Sequence, residues 1–391
     1  MNNPLQDPGF FRNPYPTFAA LRSTSPVQQV PGGGGRSSYL VTGYAEARAA
    51  FTDPRLSKDT VAFFAGKDTG RHLHPAVSRS MLATDPPRHT RLRSLVTKAF
   101  TPGAVARLRP YLTAVTDELL DAWVPGEPAD AIGSLAVPLP VTVICHLLGV
   151  PDADRAAVRT WSNELFAAGQ PERIDAASHA VADYLADLVA AKRRTPDDSL
   201  LNDLIRARDG ADRLSEDELV SLAVLLLVAG HETTTNLIGN GLLALLQMPG
   251  SLRRLRDEPG LADAAVDELL RYDSPVSTAT FRFATEAVTL GGTEIPAGSP
   301  VLIAPGAANR DPARFPDPDR LDLDRDTTGH LAFGHGIHRC LGAPLARAEG
   351  VIAFRTIAAR YPDLHLAVPT GELEWRHTRL TRGLVALPVR P

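Results

Sequence analysis

The apolar series Leu219–Val228 constrains this chain more than any other segment. It is entered through Ser215-Glu-Asp-Glu218, which has the form of a capping box. Ala229-Gly-His-Glu-Thr-Thr-Thr235 then breaks it, and Leu237, Ile238 and Leu242 resume the apolar pattern. A helix this apolar is buried on most sides, so other helices must surround it. With 391 residues, 44% of them hydrophobic, the chain has ample material for such a core. A polar turn between two buried flanks cannot be exposed alone, which marks it as functional. Threonine hydroxyls that bond back to the preceding turn predict a local widening of the helix. Gly230 admits the close approach of a flat ligand.

Helical patterning extends from about Ala104 to Leu270. Leu108, Leu112, Val115 and Leu119 recur at helical spacing, as do Val181, Leu185 and Leu188. Pro31–Gly35 reads as a turn before a strand at Tyr39–Thr42. Val288-Thr-Leu-Gly-Gly-Thr-Glu-Ile295 reads as a hairpin turning at Gly291-Gly292. Residues 305–330, rich in Pro, Asp and Arg, predict an ordered loop, and a last helix spans about Pro344 to Arg360. The sum is a mainly α chain with small β-sheets. With no repeat and no linker, it reads as one domain over 1–391.

A net charge of −4 without a basic block excludes a dedicated nucleic-acid binder. The longest apolar run, Leu222–Gly230, is about half of a bilayer span, so no membrane association is expected. The first ten residues carry neither a basic start nor an apolar stretch, so no signal peptide is read and a cytoplasmic location is expected. Two cysteines, Cys145 and Cys340, suit a reducing compartment.

Cys145 lies in Val141-Thr-Val-Ile-Cys-His-Leu-Leu148 and reads as a small buried hydrophobe. Cys340 differs. In Phe333-Gly-His-Gly-Ile-His-Arg-Cys-Leu-Gly342, two glycines precede it and one follows, so backbone approaches the sulfur from both sides. Ala343-Pro344 then opens a helix, whose positive end favours thiolate over thiol. A thiolate held there is a nucleophile or a metal ligand. His330, His335, His338 and Cys340 also read as a zinc cluster, but His-X-Cys on a glycine-rich loop lacks the spaced ligand pairs of a tetrahedral site.

The loop Phe333–Gly342 resembles the haem-binding loop of cytochrome P-450 monooxygenases, and the likeness extends from about Asn13 onward. The resemblance implies the single-domain cytochrome P-450 fold, a triangular-prism α-bundle around haem b, with Cys340 as axial ligand of the iron. It assigns Glu232 and Thr233 as the acid–alcohol pair that relays protons, and leaves His231 without a role. Glu268 and Arg271 in Glu268-Leu-Leu-Arg271, with Arg320, match the family's structural triad, although Leu321 stands where phenylalanine is usual. His89, Arg93, Arg282 and His338 match the propionate ligands. Leu82, Ala229, Phe333 and Ala346 would contact the macrocycle, beside the loop glycines Gly334 and Gly342.

The family likeness further implies insertion of one oxygen atom from O2, by hydroxylation or epoxidation, into a small lipophilic secondary metabolite of polyketide or macrolide type. Electrons would come from ferredoxin and an NAD(P)H-dependent ferredoxin reductase, for no reductase domain is expected in the chain. Arg88, Arg91, Arg93 and Lys98 offer a docking patch, and the protein is expected to be a monomer. By the same likeness, pocket segments lie near 60–82, 160–180, 224–229, 274–280 and 378–383. They contain Phe63, Phe64, Leu82, Trp161, Phe166, Leu226, Val276 and Leu380 as an apolar lining, with Ser274, Ser277 and Thr278 as hydrogen-bonding groups. Oxidative coupling, peroxide-driven oxidation and a haem sensor or carrier are the alternatives.

Overall fold

The structure, a computed structural model, describes every residue except 1–4, 6, 33–36, 68–69, 167–170, 209–213 and 379, and except the side chains of 166, 207 and 208. Of the expected turn at 31–35, residues 33–35 lie outside the described residues, as do 68–69, 167–170 and 379 of the expected pocket segments. Contacts group the chain into two units, one of residues 1–57, 109–138 and 233–391, the other of 58–108 and 139–232.

The first unit holds every described strand. Its five-stranded sheet runs in the order Val27–Pro31, Ser37–Val41, Pro300–Ile303, Arg282–Ala284, Leu56–Ser57. Ser37–Val41 lies parallel to Pro300–Ile303, with Tyr39 opposite Val301 and Val41 opposite Ile303, and the remaining pairs are antiparallel. Val27, Val41, Leu56, Val301, Ile303 and Phe315 form much of the core beneath it. The hairpin forms as expected, Val288–Leu290 against Thr293–Ile295, with φ of 54° at Gly291 and 77° at Gly292.

The helix Ala343–Arg360 packs against Ala262–Tyr272 and against the later half of the core helix Glu216–Leu246. Glycine makes both approaches close. A Cβ on Gly350 would lie 3.2 Å from Leu237 and 3.4 Å from Val266, and one on Gly241 would lie 2.6 Å from the Phe354 ring. Within this interface Glu349 is buried, and burial alone pushes its carboxyl up to about 8. The folded chain therefore keeps a proton that the unfolded chain loses near its ordinary value of 4.5, and stability falls as pH rises between the two. Glu349→Gln escapes that loss: its advantage in urea unfolding widens by about 1.4 kcal/mol per pH unit between about pH 5 and 8. A pH-independent difference would show that Glu349 is ionised in the folded chain.

Glu268 and Arg271 are fully buried and paired at 2.6 and 2.8 Å, as the i,i+3 spacing predicts. The third member is not Arg320. That side chain is exposed and pairs with Asp322, and only its carbonyl joins the group, accepting from Arg271 at 3.3 Å. Arg325 takes the place instead, its Nε donating to Glu268 Oε1 at 3.3 Å from a side chain that is 10% exposed. The chain turns at Asp317, where φ is 47°, so Arg320 faces outward while Arg325 folds back over the loop carbonyls of Pro316 and Asp317. Asp322 N–H completes the carboxylate's donors at 2.9 Å. Arg325→Met leaves a buried carboxylate one charged donor short and lowers unfolding free energy by about 2 kcal/mol. Arg320→Met stays within about 0.5 kcal/mol of the parent. Equal effects of the two in urea titration would return the role to Arg320.

The second unit is helical, with Arg155–Phe166 packed on Pro171–Arg194. Val181, Leu185 and Leu188 are buried there, as their spacing predicts. In the helix Pro102–Asp121, Leu112 and Val115 of the expected series are buried and Leu108 and Leu119 half-buried on the same face, with Val105, Thr116 and Leu120 buried beside them. The capping box forms at the start of the core helix: Ser215 N–H donates to Glu218 Oε2 and Glu218 N–H to Ser215 Oγ, both at 3.1 Å. By length and composition the core helix could cross a membrane, but 72% of its most apolar window is buried inside the protein.

Candidate functional site

Cys340 closes a tight loop in the first unit. Its N–H donates to the Phe333 carbonyl at 2.8 Å, and Gly334 N–H donates to Leu331 at 2.8 Å. Gly334 and Gly336 have φ of 69° and 73°, in the left-handed region. At Gly336 a Cβ would lie 3.0 Å from the Phe51 carbonyl oxygen, so the loop rests directly on residues 51–52. The helix Ala343–Arg360 begins just past the cysteine, with Gly342 at the N-cap and Pro344 in the first turn. The Cys340 thiol is exposed at that positive helix end. Cys145 is fully buried, and burial pushes its thiol up to about 11, as suits a packing residue.

Arg282 meets the same backbone from the sheet. It is buried, and donates to the Leu56 carbonyl at 3.0 Å and the Phe51 carbonyl at 3.3 Å. The Phe51 carbonyl is therefore shared ground between Arg282 and the cysteine loop, which brings Arg282, Phe333, Gly334, Cys340 and Gly342 into one cluster. His338 stands in the 3-10 turn Gly336–His338 of that loop, and Ala346 in the first turn of the helix beyond. His330 turns the other way, to 3.6 Å from Asp267. Among the described residues no three His, Cys, Asp or Glu side chains gather as a metal cluster.

The core helix supplies the second half of the chemistry. Its backbone stays α-helical through the polar break, so the expected widening does not occur. Between residues 219 and 245 all positions are buried except Leu225, Val228, Ala229, Gly230 and Thr233. Leu225, Ala229 and Thr233 recur every four residues, so one face of this buried helix is open, and it broadens at Ala229 through Val228 and Gly230. Thr233 is thus accessible while Glu232, beside it in the chain, is buried. His231 is buried and its Nδ1 bonds the Leu227 carbonyl at 3.1 Å, back along its own helix. Thr235, also buried, leaves its hydroxyl without a hydrogen-bond partner among the described residues.

Gly230 packs closely on one side, where a Cβ would lie 3.1 Å from Ile144 of the helix Pro138–Leu148, while the glycine itself stays partly accessible. In the same unit Leu82 is half-buried in the turn Met81–Ala83, and His89 and Arg93 lie one turn apart on the helix Arg88–Thr97. Burial, and then the nearby Arg93 charge, hold the His89 imidazole below its ordinary range. Arg91 pairs with Glu218, and Arg88 lies 3.5 Å from the same carboxylate, so two charges of the expected docking patch converge on a helix cap.

The Gly230–Ile144 contact is testable. Gly230→Ala gains about 1 kcal/mol of helix propensity and gives up a similar amount to crowding. Ile144→Val relieves the crowding, so the double-mutant cycle shows favourable coupling on the order of 1 kcal/mol. Strict additivity in urea unfolding would place Ile144 elsewhere.

The first unit's donors fit haem. An exposed sulfur at a helix N-terminus suits an axial iron ligand, and Arg282 and His338 stand in the same cluster as cationic or donor groups for carboxylates. Comparison with known proteins agrees. The family model for cytochrome P450 matches residues 158–362. The cytochrome P450 monooxygenase PikC of Streptomyces venezuelae is 48% identical over 385 residues, covering 97% of this chain and 92% of its own. The 6-deoxyerythronolide B hydroxylase of Saccharopolyspora erythraea is 44% identical, covering 99% and 98%. The structure of the tirandamycin C-bound P450 monooxygenase TamI superposes with a TM-score of 0.92 at 46% identity over 98% of both chains. With thiolate loop, core helix and overall sequence in agreement, the chain belongs to the cytochrome P450 family and is a haem-thiolate monooxygenase of the bacterial type.

Proposed function

We propose that this monooxygenase hydroxylates or epoxidises a lipophilic polyketide- or macrolide-type metabolite, with haem b as cofactor and a ferredoxin as electron donor. The observation that carries the reading is the open face through Leu225, Ala229 and Thr233 on a largely buried helix, set in a chain whose thiol Cys340 is exposed at a helix start. Support for the substrate class comes from the relatives, whose names specify a 6-deoxyerythronolide B hydroxylase, a mycinamicin IV hydroxylase/epoxidase and a tirandamycin C-bound monooxygenase.

Haem, when bound, supplies dioxygen activation and the oxidising power, favoured by a thiolate ligand. The chain's own residues do the rest. Cys340 holds the iron through its sulfur. Arg282 and His338, with His89 and Arg93, hold the propionates. Leu82, Ala229, Phe333 and Ala346 shield the macrocycle from water, and Gly334 and Gly342 let backbone lie close to it. Thr233 Oγ1 holds a proton at the reaction site, and Glu232 replaces it from its carboxyl. Lys98 adds a charge that attracts an acidic ferredoxin, because Arg88 and Arg91 already face Glu218 and Arg93 is given to a propionate. The whole of 1–391 acts as one monomeric catalytic domain in the cytoplasm.

The decisive experiment is the reduced, carbon monoxide-bound spectrum followed by turnover under labelled dioxygen. A thiolate-type Soret band, lost in Cys340→Ser, is expected. Thr233→Ala is expected to keep that band while diverting about nine-tenths of consumed electrons to peroxide, within the range for loss of a proton-transfer group. A histidine-type band would instead mark a haem sensor or carrier, and full coupling in Thr233→Ala would remove Thr233 from the relay.

A further inference from the structure

Residues 374–376 and 383–385 pair antiparallel, through Trp375 opposite Leu384, Arg376 N–H to the Gly383 carbonyl at 2.9 Å and Val385 N–H to the Glu374 carbonyl at 2.9 Å. The stretch Leu380–Arg382 between them is bonded to the segment that follows the helix Ala262–Tyr272. Ser277 N–H donates to the Leu380 carbonyl at 2.9 Å, Arg382 N–H donates to Pro275 at 2.9 Å, and Val276 bridges to Thr381. These two segments form one ledge. Pro275, Ser277 and Thr381 are buried, yet Val276 and Leu380 remain partly accessible, so the ledge leaves two apolar residues open to contact.

The ledge lies along the core helix one turn past Thr233. A Cβ on Gly383 would fall 1.9 Å from Asn236 Oδ1, and Asn240 Nδ2 donates to the Arg382 carbonyl at 2.9 Å. Leu380 is three residues from Gly383, and Thr233 three from Asn236, so both lie within roughly 10 Å of this contact.

What fixes the ledge is the Arg382 side chain, which is 8% exposed. Its Nε pairs with Asp273 at 2.7 Å, while Nη1 and Nη2 donate to the carbonyls of Phe11 at 2.9 Å and Arg12 at 3.2 Å. Its guanidinium stacks 3.6 Å from the Trp375 ring centroid. Asp273 also accepts the Tyr15 hydroxyl at 2.6 Å. Each of these three bonds is thus directed at a fixed partner, a helix end or the amino-terminal helix, and the stack on Trp375 ties the group to the ledge. Arginine's planar fork makes three directed bonds at once where lysine makes a single point contact.

We infer that Arg382, anchored by Asp273 and Tyr15, is a positioning residue for substrate, holding Val276 and Leu380 at a fixed distance from Thr233 and so selecting which part of a substrate is presented there. The inference rests on the reading of Thr233 as the edge of the reaction site. It gives the amino-terminal residues a part in selectivity.

The test uses haem-loaded enzyme with 4-phenylimidazole, which ligates the iron and extends a ring over it, and with imidazole, which does not reach the pocket wall. Arg382→Met keeps the carbon monoxide band, weakens 4-phenylimidazole about tenfold and leaves imidazole within about twofold. Amide exchange over 374–385 rises about tenfold while 343–360 is unchanged. Arg382→Lys restores part of both effects. A faster-exchanging ledge with an unchanged ratio of the two affinities overturns the proposal, since Arg382 would then be scaffold alone. Exchange that rises everywhere overturns it equally. If Arg382→Met does not fold, Tyr15→Phe removes one bond to Asp273 and is read by the same ratio: a weakened 4-phenylimidazole supports the proposal, and an unchanged ratio overturns it. Wild-type protein lacking a thiolate band refutes the haem reading, and there the exchange pattern over 374–385 still decides whether Arg382 holds the ledge.

Discussion

The close packing of Ala343–Arg360 on the later half of the core helix is the constraint on which the rest depends. One of these helices starts directly after Cys340, and the other carries Thr233 near the middle of its length. Glycines at 241 and 350 let the two backbones approach until Phe354 and Leu237 fill the space a methyl group would need. The hydroxyl is therefore carried by one of two helices packed at atomic density, and the sulfur is joined to the other through the short loop that Gly336 seats on residues 51–52. Burial in this interface is complete enough to keep Glu349 neutral, which spares the contact a second buried charge.

Around that axis, irregular backbone is held by buried arginines. Arg271 gathers the carbonyls of Asn309, Pro318 and Arg320 while paired with Glu268. Arg382 gathers those of Phe11 and Arg12 while paired with Asp273. In both, a carboxylate at or near the end of one helix neutralises a guanidinium whose remaining donors satisfy loop carbonyls that would otherwise be buried without partners. This is how a chain with short strands and long connections keeps its loops in one conformation.

Much of the site is legible in the sequence because its signals are local. The capping box, the glycine hairpin, the cysteine loop and the helix behind it depend on neighbours within four residues, and each forms as its spacing implies. The departures share a cause. Arg320 and Arg325 sit in the same polar loop, and a backbone turn at Asp317, which no residue pattern announces, selects between them. Gly230 announces a close approach, but the side chain it packs against, Ile144, is distant in sequence. The polar break keeps a regular helix because burial on three sides holds it straight. Arg382 carries no local signal at all: its meaning lies in Asp273, Phe11 and Trp375, which only the fold assembles.

The carbonyls of Phe11 and Arg12 have a practical bearing on how this protein can be handled. Chain termini are ordinarily the first places to tolerate trimming, tags and proteolytic nicking. Here the tolerant stretch ends early, because Phe10 and Phe18 are buried and the two carbonyls between them terminate an arginine fork. Shortening the chain past this point would leave Arg382 with two unmet donors, so damage at the amino end would surface as a change in what the enzyme accepts, far from the cut.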